Sequence, residues 1–221
     1  MFSYVSGDGE EGYPGTVKAR VIYRLDQDDS LTIIMQSETD TPTMCNLAHH
    51  SYWNLAGHDE GTIEDHFIEV DADNYTPMDS DVMPTGKIEP VAGTPFDLTS
   101  PRRLGDCLAE LKQIGAMDGF DGNWCLNRAD GTLRPCAVVS HEPTGRKIEL
   151  FTTEPGLQIY TAGTFPDRLK GKGGAVYGRF AGVALEPQIY PDAPNIPHFP
   201  SARLDPGEQR EQIMRVEFST L

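Results

Sequence analysis

The feature that most constrains how this chain can fold is a period of two. Short segments alternate apolar and polar residues and are separated by Gly, Pro, Asp and Asn. Val17, Ala19, Val21 and Tyr23 interleave with Lys18, Arg20, Ile22 and Arg24, then "DQDDS" turns the chain into "LTIIMQS". The runs "HFIEV", "CAVVSHE", "RKIELFTT", "LQIYTAG", "VALEPQIY" and "IMRVEF" follow in the same manner. Such alternation sends neighbouring side chains to opposite faces of a strand, so it predicts sheets with one face buried. "EPTGR", between Val139 and Ile148, reads as a hairpin turn in which Gly145 takes a positive φ. Only "RLGDCLAELKQIG" has helical spacing, through Leu104, Leu108, Leu111 and Ile114. Many short strands with one helix, in 221 residues without an internal repeat or a shift in composition, predict an all-β sandwich forming a single domain over residues 1–221.

Charge narrows the possible partners. Asp and Glu number 34 against 18 Lys and Arg, a net charge of −16, which repels phosphate backbones and anionic lipid, so neither nucleic acid nor a membrane surface is an expected partner. The opening lacks a basic segment followed by an apolar one, and no apolar run is long enough to span a bilayer. Cys45, Cys107, Cys125 and Cys136 form no C-x-x-C pair and are too sparse for a secreted disulfide framework. Reduced thiols and a cytoplasmic location are therefore expected. The acidic clusters Asp8–Glu11 and Asp26–Asp29 read as solvated turns. No metal or cofactor is expected: His49 and His50 part to opposite faces, and His58 and His66 are too far apart to form a simple ligand pair.

The chemistry concentrates in a few stretches. In "NLAHHSYWNLAG", a strand over Asn46–Leu55 sends Asn46, Ala48, His50, Tyr52 and Asn54 to one face and Leu47, His49, Ser51, Trp53 and Leu55 to the other. Trp53, Leu47 and Leu55 mark the second face as core, which leaves His49 packed and His50 among polar groups. In "GVALEPQIYPDAPN" the same period sets Glu186 on a strand flanked by Val, Ala, Leu and Ile. A carboxylate there is either salt-bridged for structure or poised for chemistry. Pro187 marks an edge or a bulge. Gln158 and Tyr160 share one face of "EPGLQIYTAG", and Asp121 lies in the Gly-rich "GAMDGFDGNW". Amides, carboxylates and phenols beside aromatic rings are the groups that hydrogen-bond a polyol and cover its C–H faces. Trp124 has no assigned side at this level.

Taken together, "DGEEGYPG" at 8–15, "NLAHHSYWNLAG", "PTG" at 84–86, "TPFDL" at 94–98, "GFDGNW" at 119–124, "TTEPGLQIYTAG" at 152–163 and "LEPQIYPDAPNIPHFPS" at 185–201 resemble the aldose 1-epimerases, or galactose mutarotases. The motifs keep the family's order along almost the whole chain. The resemblance implies a galactose mutarotase-like β-sandwich, a supersandwich, of which this chain is the C-terminal major part. It also implies a monosaccharide substrate and the interconversion of α and β anomers of hexoses. His50 aligns with the family's catalytic acid and Glu186 with its base; Asp121 and Gln158 align with sugar-hydroxyl ligands, and Tyr52 and Asn54, which share the predicted face of His50, are expected to join them. Carboxylate and imidazole are expected on opposite sides of the hemiacetal. The chain departs from the pattern at His49, where Asn is usual, and near Arg210, where an aromatic is usual. Family members also begin well before "DGEEGYPG", with strands, an arginine and a histidine that serve the sugar site, so a further N-terminal segment or a second chain is expected to complete the sandwich. The alternatives to catalysis are sugar binding without turnover, or an inactive fragment that needs a missing N-terminal portion.

Overall fold

The computed structural model describes residues 1–114, 118–166 and 168–221. The first strands in chain order are β1 (Phe2–Ser6), β2 (Val17–Leu25), β3 (Ser30–Thr39), β4 (Thr43–Met44), β5 (Tyr52–Trp53), β6 (Phe67–Val70), β7 (Asn74–Thr76), β8 (Glu89–Pro90) and β9 (Arg102–Arg103). After the helix α1 (Leu104–Gln113) come β10 (Asp121–Cys125), β11 (Arg134–His141), β12 (Arg146–Thr152), β13 (Gly156–Tyr160), β14 (Leu169–Lys170), β15 (Val176–Tyr177), β16 (Val183–Gln188), β17 (Arg203–Leu204) and β18 (Arg210–Thr220). Eight strands form a sheet in the order β1-β2-β3-β18-β12-β11-β6-β9, and six form a second in the order β5-β16-β13-β10-β7-β8. Two-stranded ribbons, β4 with β17 and β14 with β15, complete the pairings.

The period-two pattern explains why the sheets stack. On the smaller sheet Val183, Leu185, Leu157, Ile159 and Trp124 point one way; on the larger, Ile33, Ile68, Val139, Ile148, Leu150, Met214 and Val216 meet them in one main core. Each fully buried side chain of this size contributes about 1.5–3 kcal/mol. Trp124 belongs wholly to this core, its indole N–H donating to the carbonyl of Phe96 at 2.9 Å. The β11–β12 hairpin turns through Glu142–Thr144, and Gly145 closes it at φ 68°. In the acidic turn, Asp8 accepts from the Gly15 N–H at 2.7 Å, and Glu10 accepts from Gly7 and from the Tyr4 hydroxyl, so the cluster shapes the chain.

Three points differ from these expectations or add to them. First, α1 buries Leu104, Cys107, Leu108 and Leu111, whereas Ile114 is 64% exposed: the helix ends at Gln113, and Cys107 fills the stripe instead. Gly115, Ala116 and Met117, which the sequence patterns also touched, lie outside the described residues. Second, Asn46–Leu55 is not one strand, since only Tyr52–Trp53 pairs with β16. The rest is an extended strap fastened by side chains. The Asn46 amide donates to the Ile189 carbonyl and accepts from its N–H, both at 3.0 Å. Gln212 of β18 does the same for Leu47, at 2.9 and 3.2 Å. These primary amides stand in for the strand that is not there, and the alternation persists: residues 46, 48, 50 and 52 are exposed, and 47, 49, 51 and 53 half-buried. Third, Arg210, the departure from the family pattern, gathers main-chain carbonyls of Cys45, Ser201, Ala202 and Arg203, which ties the strap to β17 and β18. Pro187 lies where β5 no longer flanks β16, in keeping with an edge position.

Candidate active site

The outer face of the smaller sheet carries polar residues in lateral rows set by strand register. One row runs Tyr52, Ala184, Tyr160, Asp121 and the next Glu186, Gln158, Asn123, Thr76, across neighbouring antiparallel strands. The apolar residues between them along each strand are those of the core. Burial of the opposite face therefore aims these groups out of the same side of the sheet.

His50, on the strap, reaches over the first row. Its Nε2 lies 3.3 Å from Oε1 of Glu186, with half of the imidazole exposed and Glu186 only 7% accessible. Burial pushes the Glu186 carboxyl above its ordinary range; His50 pulls it back, and Asp121 adds a further push upward. Acid and base therefore sit in contact on one side of the cleft, not across a gap the width of a sugar ring. The reason is the strap, which leaves the sheet plane before Tyr52 and folds His50 down onto β16.

Next along the second row, Gln158 donates from Nε2 to Oδ1 of Asp121 at 2.7 Å, so the two predicted hydroxyl ligands are already joined. Tyr52 packs with its ring tilted against His50, centroids 5.0 Å apart, and lies 6.1 Å from Tyr160; Phe165 packs 4.9 Å from Tyr52. This aromatic wall holds the imidazole in place. It also buries part of the Tyr52 phenol, which, with Tyr160, Glu186 and Asp121 nearby, is pushed up to about 12 and stays neutral across the biological range. The Tyr160 hydroxyl shares a 2.6 Å hydrogen bond with Thr164.

The site gathers five of the six predicted residues: His50, Glu186, Asp121, Gln158 and Tyr52. Asn54 is held elsewhere, its amide donating to the Ala181 carbonyl at 3.2 Å and accepting from the Ala56 N–H at 3.0 Å, because the chain turns at Asn54–Gly57 and the strand face on which it was placed ends. His49 turns inward as expected, 3.1 Å from the Ser51 hydroxyl and edge-on to Tyr23 at 5.7 Å. Sequence reasoning gave no contacts to Asn46, Arg210, Gln212 and Asn123: Asn46 and Gln212 bind partners 143 and 165 residues away, Arg210 joins nearby Ser201, Ala202 and Arg203 to distant Cys45, and Asn123 reaches Thr76 across 47. A buried Asn on a strand otherwise made of core residues was the one signal available for Asn123. Among the described residues, no three His, Cys, Asp or Glu converge as metal ligands would, and no helix is long and apolar enough to cross a membrane.

Comparison with known proteins adds to this geometry. The family model described as "Aldose 1-epimerase" matches residues 1–217. The galactose mutarotase of Sus scrofa is 46% identical over 218 residues, and that of Homo sapiens 43% over 219, each alignment covering 99% of this chain and 62% of the relative. A crystal structure described as an aldose epimerase homologue from C. elegans superposes with a TM-score of 0.88 at 30% identity, covering all of this chain and 65% of that one. The chain thus spans just under two thirds of the length of the relatives it matches.

Proposed function

Because this chain belongs to the aldose 1-epimerase family, we propose that it carries the catalytic face of a mutarotase, interconverting the α and β anomers of a hexose such as glucose or galactose. The observation that carries this reading is the contact of His50 with Glu186 beside the joined Gln158 and Asp121, in a cleft walled by Tyr52 and Tyr160. A pure binding protein needs hydrogen-bond partners for hydroxyls but has no use for a proton-transfer pair. The acidic composition disfavours phosphate-backbone and anionic-lipid partners, and the four free, buried cysteines support the reading of a reducing, cytoplasmic setting. The shared core of the two sheets supports reading residues 1–221 as a single domain.

In this mechanism ionised Glu186 removes the proton of the C1 hydroxyl while protonated His50 delivers one to the ring oxygen. The C1–O5 bond breaks, the C1–O1 bond becomes a carbonyl, and an open-chain aldose results. Rotation about C1–C2 presents the other carbonyl face, and the reverse transfers close the ring. The two reacting oxygens are both bonded to C1, so an acid and a base that touch each other can serve them from one side. A well-placed acid or base contributes about 10²–10⁴ each. Burial raises the Glu186 carboxyl and so strengthens it as a base, while the His50 contact opposes that rise.

The apolar side chains of Phe2, Tyr4, Val5 and Tyr13, exposed on and after β1, support the further reading that additional polypeptide packs against this end of the larger sheet. The test of the activity is polarimetric: the protein should speed the decay of optical rotation of freshly dissolved α-glucose or α-galactose. Sugar binding by calorimetry with no acceleration would replace catalysis by recognition alone.

A further inference from the structure

His50 stands 3.3 Å from Glu186, although no β-ladder joins the strap to β16 at that point. What persists is the register. Tyr52 pairs with Ala184; two residues back along the strap is His50, and two residues on along β16 is Glu186, so the antiparallel pairing carried one step further sets imidazole opposite carboxylate. The ladder stops at Pro187, which lies opposite His49 in the same register and has no N–H to give. Beyond this break the Asn46 amide takes over. Its Nδ2 donates to the Ile189 carbonyl and its Oδ1 accepts from the Ile189 N–H, both at 3.0 Å, as the main chain of a paired strand would. Gln212 holds the next residue from another direction. It is 1% exposed, stands in the buried row of β18 with Met214 and Val216, and reaches from the larger sheet to both main-chain groups of Leu47. Each amide accepts from an N–H and donates to a carbonyl, which fixes the places of its oxygen and nitrogen.

We propose that Asn46 and Gln212 are positioning residues, a two-way clamp that keeps the strap in register with β16 and so holds His50 against Glu186. Asn46 fixes the strap along β16, and Gln212 fixes its height above the larger sheet. Both amides are committed to main-chain groups, and they act on the reaction only through the imidazole that follows them. From Leu47 to Tyr52 the chain is too short to carry His50 far while both ends are held. Releasing the Leu47 end restores backbone freedom, and most of the added conformations part the ring from the carboxylate. The larger sheet, which supplies none of the proposed catalytic groups, thereby enters the mechanism through Gln212. The catalytic role of the clamp rests on the mutarotase reading; its hold on His50 does not.

Two measurements on the full chain test this. By NMR, the wild type should show a nuclear Overhauser effect between the His50 ring protons and the γ protons of Glu186. Asn46→Ala should weaken it about threefold or more, and so should Gln212→Met, which keeps the length of the side chain and loses both hydrogen bonds. Asn46 is exposed, so Asn46→Ala leaves the core intact and decides the matter even if Gln212→Met fails to fold. An effect absent from the wild type, or undiminished in Asn46→Ala, overturns the proposal whether or not the protein turns over sugar. In kinetics, Asn46→Ala should lower kcat about tenfold to a hundredfold and change KM less than about threefold, since Gln158 and Asp121 keep their places on the sheet. In a His50→Asn background the same substitution should add less than about twofold. Equal losses in both backgrounds would make the clamp merely structural and overturn its role. A wild-type chain without mutarotation overturns the functional reading and leaves the NMR result to decide this one.

Discussion

Two imidazoles stand at either end of one short segment and have opposite environments. His50, where the strap meets β5, is half exposed and faces Glu186 at 3.3 Å. His66 lies under the turn that follows β5, fully buried, stacked at 4.6 Å on His141, with Nε2 accepting the Leu55 N–H at 2.8 Å. Burial, with a smaller push from His141, pulls His66 down to about 4, so it is neutral and free to accept. The Leu55 carbonyl is held as well, by Arg146 at 2.8 Å and Thr144 at 3.2 Å. In the proposed mechanism a contacting carboxylate and access to water suit His50 to donate a proton, whereas full burial makes His66 a fastener. The chemistry proposed for His50 and the stability supplied by His66 thus fall at different ends of the stretch between them.

The largest expected effect separates these roles. Glu186→Gln should lower the mutarotation rate about 10²–10⁴-fold. It should leave the urea midpoint unchanged or raised, because the amide removes a buried charge whose desolvation is unfavourable. Polarimetry and a denaturation curve on the same preparation check it. Parallel loss of rate and stability would mean that the cleft pair is also a structural fastener, and the contrast would collapse.

His66→Ala is the converse. It removes a buried ring and strands the Leu55 N–H, so about 4 kcal/mol of stability should disappear, summing a cavity and an unpaired donor. Activity per folded molecule should stay within a few-fold. Urea titration, with activity normalised to folded fraction, measures both.

A smaller effect follows from pH. His66 binds a proton near 6.5 when unfolded and only near 4 when folded, so the unfolded state takes up more protons between those values. Stability is therefore fully present above pH 6.5 and falls by about 3 kcal/mol on acidification to pH 4. Glu154 and Glu186, whose carboxyls burial raises, act in the opposite sense. The His66 share is therefore the difference between wild-type and His66→Ala curves. Parallel curves would show that His66 already carries a proton in the fold.

The contrast also explains what the sequence could reveal. Period-two alternation is a property of the strand itself, so it set Glu186, Gln158 and Tyr160 on one face of the smaller sheet, and it put His50 opposite His49 even though the strap is not a strand. The family motifs then supplied roles that spacing alone left open. What lay hidden was long-range: Gln212 fastens Leu47 across 165 residues, Asn46 fastens Ile189 across 143, and His66 meets His141 only after the larger sheet assembles. Asn54 followed the alternation on paper, but the turn it opens had already ended the strand. No local pattern encodes such partners, since each is an ordinary polar residue until the fold brings the other.

The smallest effect concerns a third imidazole, intermediate between the other two. His49 is half-buried beside Tyr23 and Ser51, and its pKa is lowered first by burial and then by the neighbouring His50 charge. It has neither a carboxylate partner nor a buried N–H to accept, so it should behave as neither proton donor nor fastener. His49→Asn keeps a short polar group near Ser51 and removes the edge-on ring, a change worth about 1 kcal/mol or less. The mutarotation rate at pH 7 should stay within about threefold, since His49 faces away from His50 and one screened like charge is all that His50 loses. The sharper readout is the pH–rate profile. If its acid limb moves by no more than a few tenths of a unit, His50 and Glu186 titrate as a pair on their own. A shift of a full unit would show that the adjacent rings titrate together, and the acid would then belong to two histidines.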